Sequence, residues 1–70
     1  MYVIKDDNDR YLLKDHNNAT NRNSYYYGTK ADVKSINSYQ TRSVKIVRVF
    51  FKKKAFELAK KYYGKVDRSF

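Results

Sequence analysis

Lysine and arginine side chains are the groups in this chain best suited to binding chemistry, and most of them lie in its second half. Residues 41–70 contain ten Lys or Arg against two acidic residues, a net charge of 10 − 2 = +8, whereas residues 1–40 sum to 6 − 5 = +1. Charge of one sign concentrated in this way creates a strong local field that attracts polyanions. The segment therefore predicts a polyanionic partner.

Two lysine clusters in this segment have the spacing of neighbouring rows on a helix. Lys53 and Lys60 lie seven residues apart, as do Lys54 and Lys61, so each pair shares one side of a helix. Such rows can follow phosphates, and each contact releases counterions and makes binding sensitive to salt. An ordinary solvated helix face is the alternative, but few acidic residues interrupt this one. Together with the basic residues of the preceding strand, the predicted contacts are Arg42, Lys45, Arg48, Lys52, Lys53, Lys54, Lys60 and Lys61.

Aromatic side chains supply a second set of candidate contacts. Tyr25, Tyr26 and Tyr27 alternate between the two faces of a predicted strand, so at least one should be exposed. An exposed Tyr can stack on bases or anchor a protein interface, although two of the three are expected to fill the core. Phe56 and Tyr63 flank the apolar stripe of the predicted helix, where they either widen its buried face or contact a partner or a second copy.

Enzymatic chemistry has little support in the sequence. The chain has one His, no Cys and no Gly-rich phosphate loop, and His16 lies in a polar, Asn-rich stretch without a nearby base or nucleophile. The run Asp7-Asn8-Asp9 begins like a calcium loop but lacks the Gly and the closing Glu at the required spacing. We therefore expect a non-enzymatic protein without a metal or cofactor.

Length and composition predict one small domain spanning residues 1–70. The apolar fraction of 41% argues against a disordered basic tail, but so short a chain has a thin stability margin, and self-association or a partner could add to it. No apolar run approaches the ~20 residues that span a bilayer, and no signal peptide opens the chain. The expected setting is the cytoplasm, without membrane association.

The first forty residues predict a hairpin and one further strand. Residues 2–5 and 11–14 are rich in strand-forming residues and are separated by a cluster of turn-forming residues, the pattern of a β-hairpin. Residues 16–24 are polar and predict an exposed loop. Residues 25–27 predict a short strand that ends at Gly28, and residues 29–41 predict a turn or short helix.

The last thirty residues predict a strand, a helix and a final short strand. Residues 44–50 are dense in β-branched residues, but the adjacent Ile46 and Val47 break the alternation, so either both faces are buried or a bulge shifts the phase. Arg48 within this strand also fits an edge residue whose stem covers apolar surface. Residues 65–67 predict the last strand. The fold class is therefore α+β, with a small antiparallel sheet packed against one C-terminal amphipathic helix.

That helix is predicted over residues 51–63. Its apolar residues form one stripe: Phe51, Ala55, Leu58, Ala59 and Tyr62. Gly64 occupies the position at which a left-handed residue commonly ends a helix. The start of the helix lacks a capping side chain and carries three Lys, which oppose the helix dipole. A local rule broken at a basic cluster suggests function there.

Several of these segments together resemble small uncharacterised phage and prophage proteins of Gram-positive bacteria. The resemblance covers residues 2–14 and 47–66. It rests on a Tyr-Val-Ile-Lys hairpin, a strand ending in Val49-Phe50, an Ala-xxx-Ala helix and a closing Gly64-Lys65-Val66. Members usually have Ser, Thr or Asp where this helix begins with Lys. The resemblance implies a non-enzymatic binder of host machinery, a group that includes anti-CRISPR inhibitors of nucleases.

Two classes of function follow from these patterns. The first is a basic, phage-encoded protein that acts in the cytoplasm of a bacterial host and engages nucleic acid or a nucleic-acid-bound host complex. The second is a protein-interaction module anchored by the aromatic residues, or a small DNA-binding regulator acting as a homodimer. A helix-turn-helix regulator would need two recognisable helices, and the sequence predicts one with clarity.

Overall fold

The computed structural model describes residues 1–68, which form a five-stranded antiparallel sheet and two helices. The predicted α+β class is confirmed. The sheet has three strands beyond the hairpin, rather than one or two, and there is an additional short helix. The elements in chain order are β1 (Tyr2–Lys5), β2 (Tyr11–Asn17), β3 (Arg22–Gly28), α1 (Lys30–Ile36), β4 (Arg42–Ile46), α2 (Lys52–Lys61) and β5 (Lys65–Arg68).

Strand β2 is the centre of the sheet because it pairs with three other strands. One edge pairs with β3 along its whole length. The other edge meets β1 only at Tyr11, opposite Lys5, and then pairs with β4 from Leu13 to Asn17. The predicted β1–β2 hairpin is therefore present, but its strands diverge and β4 takes the vacated edge.

The chain after β4 crosses from β2 onto β1. The Val47 amide donates to the Leu12 carbonyl at 3.0 Å, and Val49 then exchanges two backbone hydrogen bonds with Tyr2, at 2.7 and 2.8 Å. The buried face changes during this crossing, from Val44 on one side of the sheet to Val49 on the other. This explains the adjacent Ile46 and Val47, and β4 ends at Ile46 rather than at Phe50.

Helix α2 covers one face of the sheet. Ala55 and Ala59 are buried against Ile4, Leu12 and Val49, and Leu58 and Tyr62 pack around them. Small side chains let the helix approach the sheet closely, which gives a core to a chain with few large aliphatic residues. The predicted stripe is thus confirmed except at its first member, because the side chain of Phe51 is 70% exposed. The opposite face of the sheet buries Val3, Leu13 and Val44.

Residues 16–24, predicted as an exposed loop, are mainly strand. β2 continues to Asn17 and β3 begins at Arg22, so the two form a regular hairpin around a four-residue turn. The side chain of Asn17 accepts hydrogen bonds from the amides of Ala19 and Thr20, at 2.9 and 3.2 Å. Asn21 adopts a left-handed conformation, φ 56°, which Asn tolerates well. The prediction was wrong because this end of the hairpin extends beyond the core and shows no hydrophobic alternation.

Helix α1 gives residues 29–41 their structure. A reciprocal capping box opens it: the Asp32 amide donates to Thr29 Oγ1 at 3.1 Å, and the Thr29 amide donates to Asp32 Oδ2 at 2.8 Å. At its end, the Asn37 side chain both donates to the Val44 carbonyl and accepts from the Val44 amide, at 2.8 and 2.6 Å. Asn37 thereby satisfies the backbone of β4 and fixes α1 beside it.

The end of α2 differs from the prediction in which residue is left-handed. Tyr63, not Gly64, has the positive φ, 58°, and the Gly64 amide donates to the Ala59 carbonyl at 2.8 Å, as in a Schellman motif. Gly64 is needed for space instead. A Cβ atom there would meet the Tyr27 hydroxyl and would lie 2.6 Å from Ile4 Cγ2 and 2.9 Å from the Lys5 carbonyl oxygen.

Substitutions at these two neighbouring positions should have opposite effects on stability. Gly64→Ala forces atoms into a packed corner and is expected to lower the free energy of unfolding by about 1–3 kcal/mol. Tyr63→Gly removes a left-handed strain of roughly 1–2 kcal/mol and adds unfolded-state entropy worth roughly 0.4–1 kcal/mol, so stability should stay level or rise. Thermal unfolding measures both, and a larger loss for Tyr63→Gly than for Gly64→Ala would contradict this account.

Candidate nucleic-acid-binding groove

A row of basic and aromatic side chains crosses three strands on the face of the sheet that α2 partly covers. Lys14 on β2 lies directly opposite Tyr25 on β3 and directly opposite Lys45 on β4. On the core side of this row lie Leu12 and Tyr27, which α2 covers. The Lys14 row lies just beyond that cover. Like charges directly opposite on paired strands repel each other, so the Lys14–Lys45 pair does not serve stability.

Between this row and α2 runs an open groove of about 660 Å³, which we call the basic groove. The sheet and the crossing segment form one wall, and the side of α2 that carries Lys54, Leu58 and Lys61 forms the other. Four cationic side chains line it: Lys14, Lys45, Lys54 and Lys61. Four aromatic rings line it as well: Tyr25, Phe50, Phe51 and Tyr62.

Six of the seven acidic residues are engaged away from the groove, and the seventh, Glu57, lies on α2 outside the groove lining. Four ion pairs engage acids near the hairpin tip and β5, and a fifth lies on the opposite face of the sheet: Lys5–Asp9, Lys5–Asp67, Arg10–Asp6, Lys65–Asp7 and Arg42–Asp15. Asp32 caps α1. Within residues 1–68, none of the cations of the basic groove forms an ion pair, and no acidic residue lines the groove. The groove therefore has an uncompensated positive charge.

The rings of the groove form two pairs. Tyr25 and Tyr62 have centroids 5.4 Å apart with planes inclined by 31°, and Tyr25 is 40% exposed. Phe50 and Phe51 form an edge-to-face pair with centroids 5.3 Å apart and planes at 75°. Both Phe side chains are about 70% exposed. Large apolar rings left in water beside a cluster of cations match the surfaces that bind nucleic-acid bases.

A shallower depression continues the groove past the Lys14 row. It is lined by Lys14 and Lys45 together with His16, Asn23 and Ser43. His16 Nδ1 and Asn23 Oδ1 lie 2.7 Å apart on paired positions of β2 and β3. His16 is thus half-buried in a strand and bonded to a neighbour, rather than solvated in a loop.

The start of α2 also opens onto the basic groove. As predicted, no side chain caps it, no acidic residue lies in its first turn, and Phe51 occupies the N-cap position. A helix start without a cap leaves backbone N–H groups without partners and carries positive dipole charge. A bound anion beside Lys54 would offset both.

Of the thirteen candidate residues from the sequence, the structure places four at the basic groove: Lys45, Lys54, Lys61 and Tyr25. Arg48 borders the groove through its backbone position, but strand alternation turns its side chain to the opposite face, beside Val3 and Ile46. Of the two predicted lysine rows, the groove thus includes only the row of Lys54 and Lys61. The other row, Lys53 and Lys60, points to solvent on the outer side of α2. Lys52 lies near Phe56, with Nζ 5.9 Å from the ring centroid, beside β5. Tyr63 is 95% exposed at the end of α2, so neither it nor Phe56 widens the core.

Two further candidates, Arg42 and Tyr26, lie on the opposite face of the sheet around a buried carboxylate. Asp15 is 5% exposed, accepts a hydrogen bond from the Tyr26 hydroxyl at 2.7 Å and pairs with the Arg42 guanidinium. Arg42, helped by Tyr26, holds the pKa of Asp15 below its usual value, against the opposing effect of burial. Burial and the nearby Asp15 raise the pKa of Tyr26. Both residues therefore have structural partners.

The last candidate, Tyr27, joins the sheet to α2. Its ring packs against the core, and its hydroxyl donates to the Tyr62 carbonyl at 2.8 Å. The expectation that two of the three consecutive Tyr are structural fits this arrangement, with Tyr25 as the ring left at the groove.

Four residues of the groove were missed by sequence reasoning: Lys14, Phe50, Phe51 and Tyr62. Lys14 is far from the basic segment in sequence, and only the pairing of β2 with β4 brings it to Lys45. Phe51 and Tyr62 were assigned to the core stripe by their helical spacing. The one available signal was Phe51 at the helix start, where a hydrophobic ring is a poor cap.

Comparison with known proteins leaves the resemblance to small phage proteins a prediction. No protein-family model, curated protein or solved structure matches this chain. Among residues 1–68, no three or more His, Cys, Asp or Glu side chains cluster closely enough to hold a metal ion. No helix in that range is long and apolar enough to cross a membrane.

Relief of the Lys14–Lys45 repulsion should stabilise the free protein. We expect Lys45→Gln to raise the free energy of unfolding by on the order of 0.3 kcal/mol at low salt, or about 1–2 °C in Tm. The gain should shrink in 1 M salt, where charges are screened. Lys53→Gln, which removes a charge from the outer side of α2, is the matched control. Equal effects of the two substitutions would show that the cross-strand repulsion is negligible.

Stability should depend on pH through Asp15. Because the folded pKa of Asp15 lies below its unfolded value of about 3.9, the unfolded state binds more protons and stability rises with pH. The contribution of Asp15 is therefore complete above the unfolded pKa and is lost as pH falls through the folded pKa. Asp15→Asn should be less stable than the parent at pH 7, and the gap should narrow below about pH 4.

Urea unfolding across this pH range measures that gap. Other carboxylates with lowered pKa values, such as Asp6 and Asp32, destabilise both proteins in acid, so the difference curve isolates Asp15. Glu57→Gln is the control, because Glu57 forms no ion pair within the described residues. A gap that stays constant with pH would rule out the assigned role of Asp15.

Proposed function

We propose that this protein is a non-enzymatic nucleic-acid-binding module that holds a phosphate backbone in the basic groove. The observation that carries the proposal is the pair Lys14 and Lys45, held directly opposite each other on adjacent strands with no acidic residue lining the groove. A phosphate placed between two such ammonium groups converts a repulsion into two attractions. Phosphate binding thereby supplies the negative charge that the groove of the free protein lacks.

Charge on both walls supports a nucleic-acid chain rather than a small anion. Lys14 and Lys45 line the sheet side, and Lys54 and Lys61 line the helix side. Successive phosphates of a strand can be shared among such groups, and each neutralised phosphate releases counterions. The aromatic rings between them offer surfaces for bases, which a purely electrostatic site would not need.

The outer side of α2 is a weaker candidate for the same ligand. Lys53 and Lys60 lie outside the groove lining, whereas Lys54 and Lys61 line it together with Leu58. Glu57 lies three or four residues from each of these four lysines, so it neighbours both rows equally. The rows differ in their position relative to the sheet, because Lys14 and Lys45 add positive charge on the groove side.

The resemblance to phage proteins adds a cellular location to this proposal. In an infected bacterial cytoplasm, a module of this kind would bind the accessible nucleic acid of a host nucleoprotein complex, and inhibition of a guided nuclease is one result of such binding. The alternative is a protein-interaction module, monomeric or dimeric, in which the rings of the groove anchor an acidic polypeptide.

Charge reversal on the two rows of α2 tests the proposal. Lys54→Glu with Lys61→Glu should weaken binding to a labelled oligonucleotide about tenfold or more and should lower the slope of log K against log salt by about 1.4, at about 0.7 for each lost phosphate contact. Lys53→Glu with Lys60→Glu changes net charge equally and should weaken binding about threefold or less. Fluorescence anisotropy at several salt concentrations measures both quantities.

The matched pair removes the main ambiguity of such experiments. Both variants have a formal net charge of 9 − 4 = +5, so loss of the overall field affects them alike, and circular dichroism checks that both fold. Equal losses for the two variants would contradict a role for the groove. Binding of an acidic polypeptide but of no oligonucleotide would favour the alternative module.

A further inference from the structure

Resting on the proposed function, we infer that the basic groove selects single-stranded nucleic acid, with a base stacked on the Phe50–Phe51 pair while the lysines hold the phosphates. The lysines alone would accept any polyanion. The rings are the part of the groove that could distinguish one nucleic acid from another, and their position and exposure support this role.

Phe50 and Phe51 expose large apolar rings that contribute neither to the core nor to the cap of α2. They line the same groove as Lys45 and Lys54, and their side chains are 71% and 70% exposed. Phe51 also occupies the N-cap of α2 without a side-chain hydrogen bond, a position at which Ser, Thr, Asp or Asn would stabilise the helix. Neither burial nor capping explains these two rings, whereas a stacking surface does.

The geometry of the pair sets the size of the expected effect. The two ring planes are inclined by 75°, so no single base can lie flat on both. One base is therefore expected to stack on this pair. Stacking of one base on an aromatic side chain changes affinity by about 5- to 150-fold.

A single strand can place a base on these rings at a lower cost in free energy than a duplex can. Bases in a duplex are stacked on each other, and exposing one requires unstacking and unpairing. In a single strand the base faces are accessible, and the flexible backbone can place phosphates at Lys45 on the sheet and at Lys54 on the helix.

The test compares three ligands: a thymine single strand of about 12 nucleotides, an abasic strand with the same number of phosphates, and a duplex containing that thymine strand. The parent protein should bind the thymine strand about 5- to 150-fold more tightly than the abasic strand, and more tightly than the duplex. Phe50→Ala with Phe51→Ala should remove the preference over the abasic strand and leave binding to the abasic strand unchanged.

Leucine separates stacking from simple apolar contact. Phe50→Leu with Phe51→Leu keeps the groove apolar but removes the ring faces, so it should lose the preference as the alanine variant does. Both positions are exposed, so both variants should fold, and circular dichroism confirms this before binding is compared. Preference for the thymine strand retained in the leucine variant would overturn the stacking role.

The outcomes separate this inference from the proposed function beneath it. Equal binding of thymine and abasic strands, weakened by Lys54→Glu with Lys61→Glu, would overturn base stacking and leave phosphate binding in place. Binding of the duplex as tightly as the single strand would overturn the strand preference. If none of the three ligands binds, both proposals fail, and a poly-glutamate peptide that does bind would identify an acidic polypeptide as the partner class.

Discussion

The rest of the structure depends on how the edge of β2 is divided between β1 and β4. β1 meets this edge only at Lys5, opposite Tyr11, and β4 occupies the edge from Leu13 onward. The crossing of the chain back to β1 then brings Val49 into the core and places α2 over Ile4 and Leu12. Had β1 paired along all of β2, β4 would have no place beside it. The groove between β4 and α2 is a direct result of this division.

The division also explains why charge is separated in the folded protein. The acids of the hairpin tip lie where β1, β2 and β5 meet, and they pair with Lys5, Arg10 and Lys65 there. The groove lies at the other side of the molecule and lacks such partners among the described residues. Within it, local rules for stability are broken together: paired lysines on adjacent strands, a lysine in the first turn of a helix, and an aromatic N-cap. Departures of this kind are expected at functional sites.

Local patterns in the sequence predicted the elements that have a clear hydrophobic period. The stripe of α2 and the strands of the first hairpin could be read in this way, whereas the capping box at Thr29 was missed and residues 29–41 were predicted as a turn or short helix. The outer half of the β2–β3 hairpin was not predictable from periodicity, because His16 and Asn23 lie beyond the core. The left-handed Tyr63 was not predictable either, since the need for Gly64 arises from contacts with Tyr27 and Ile4, which are distant in sequence.

The sequence predicted that the candidate site would combine lysines with aromatic residues, but it could not predict which of these residues come together. The sequence presents two lysine rows on α2 with identical spacing, and no local property separates them. Tertiary structure separates them: Lys54 and Lys61 face Lys45 across the groove, while Lys53 and Lys60 are exposed outside its lining. Lys14 joins the groove from a segment that carries almost no net charge in the sequence. The functional unit is therefore the surface between β2, β4 and α2, rather than the basic segment itself.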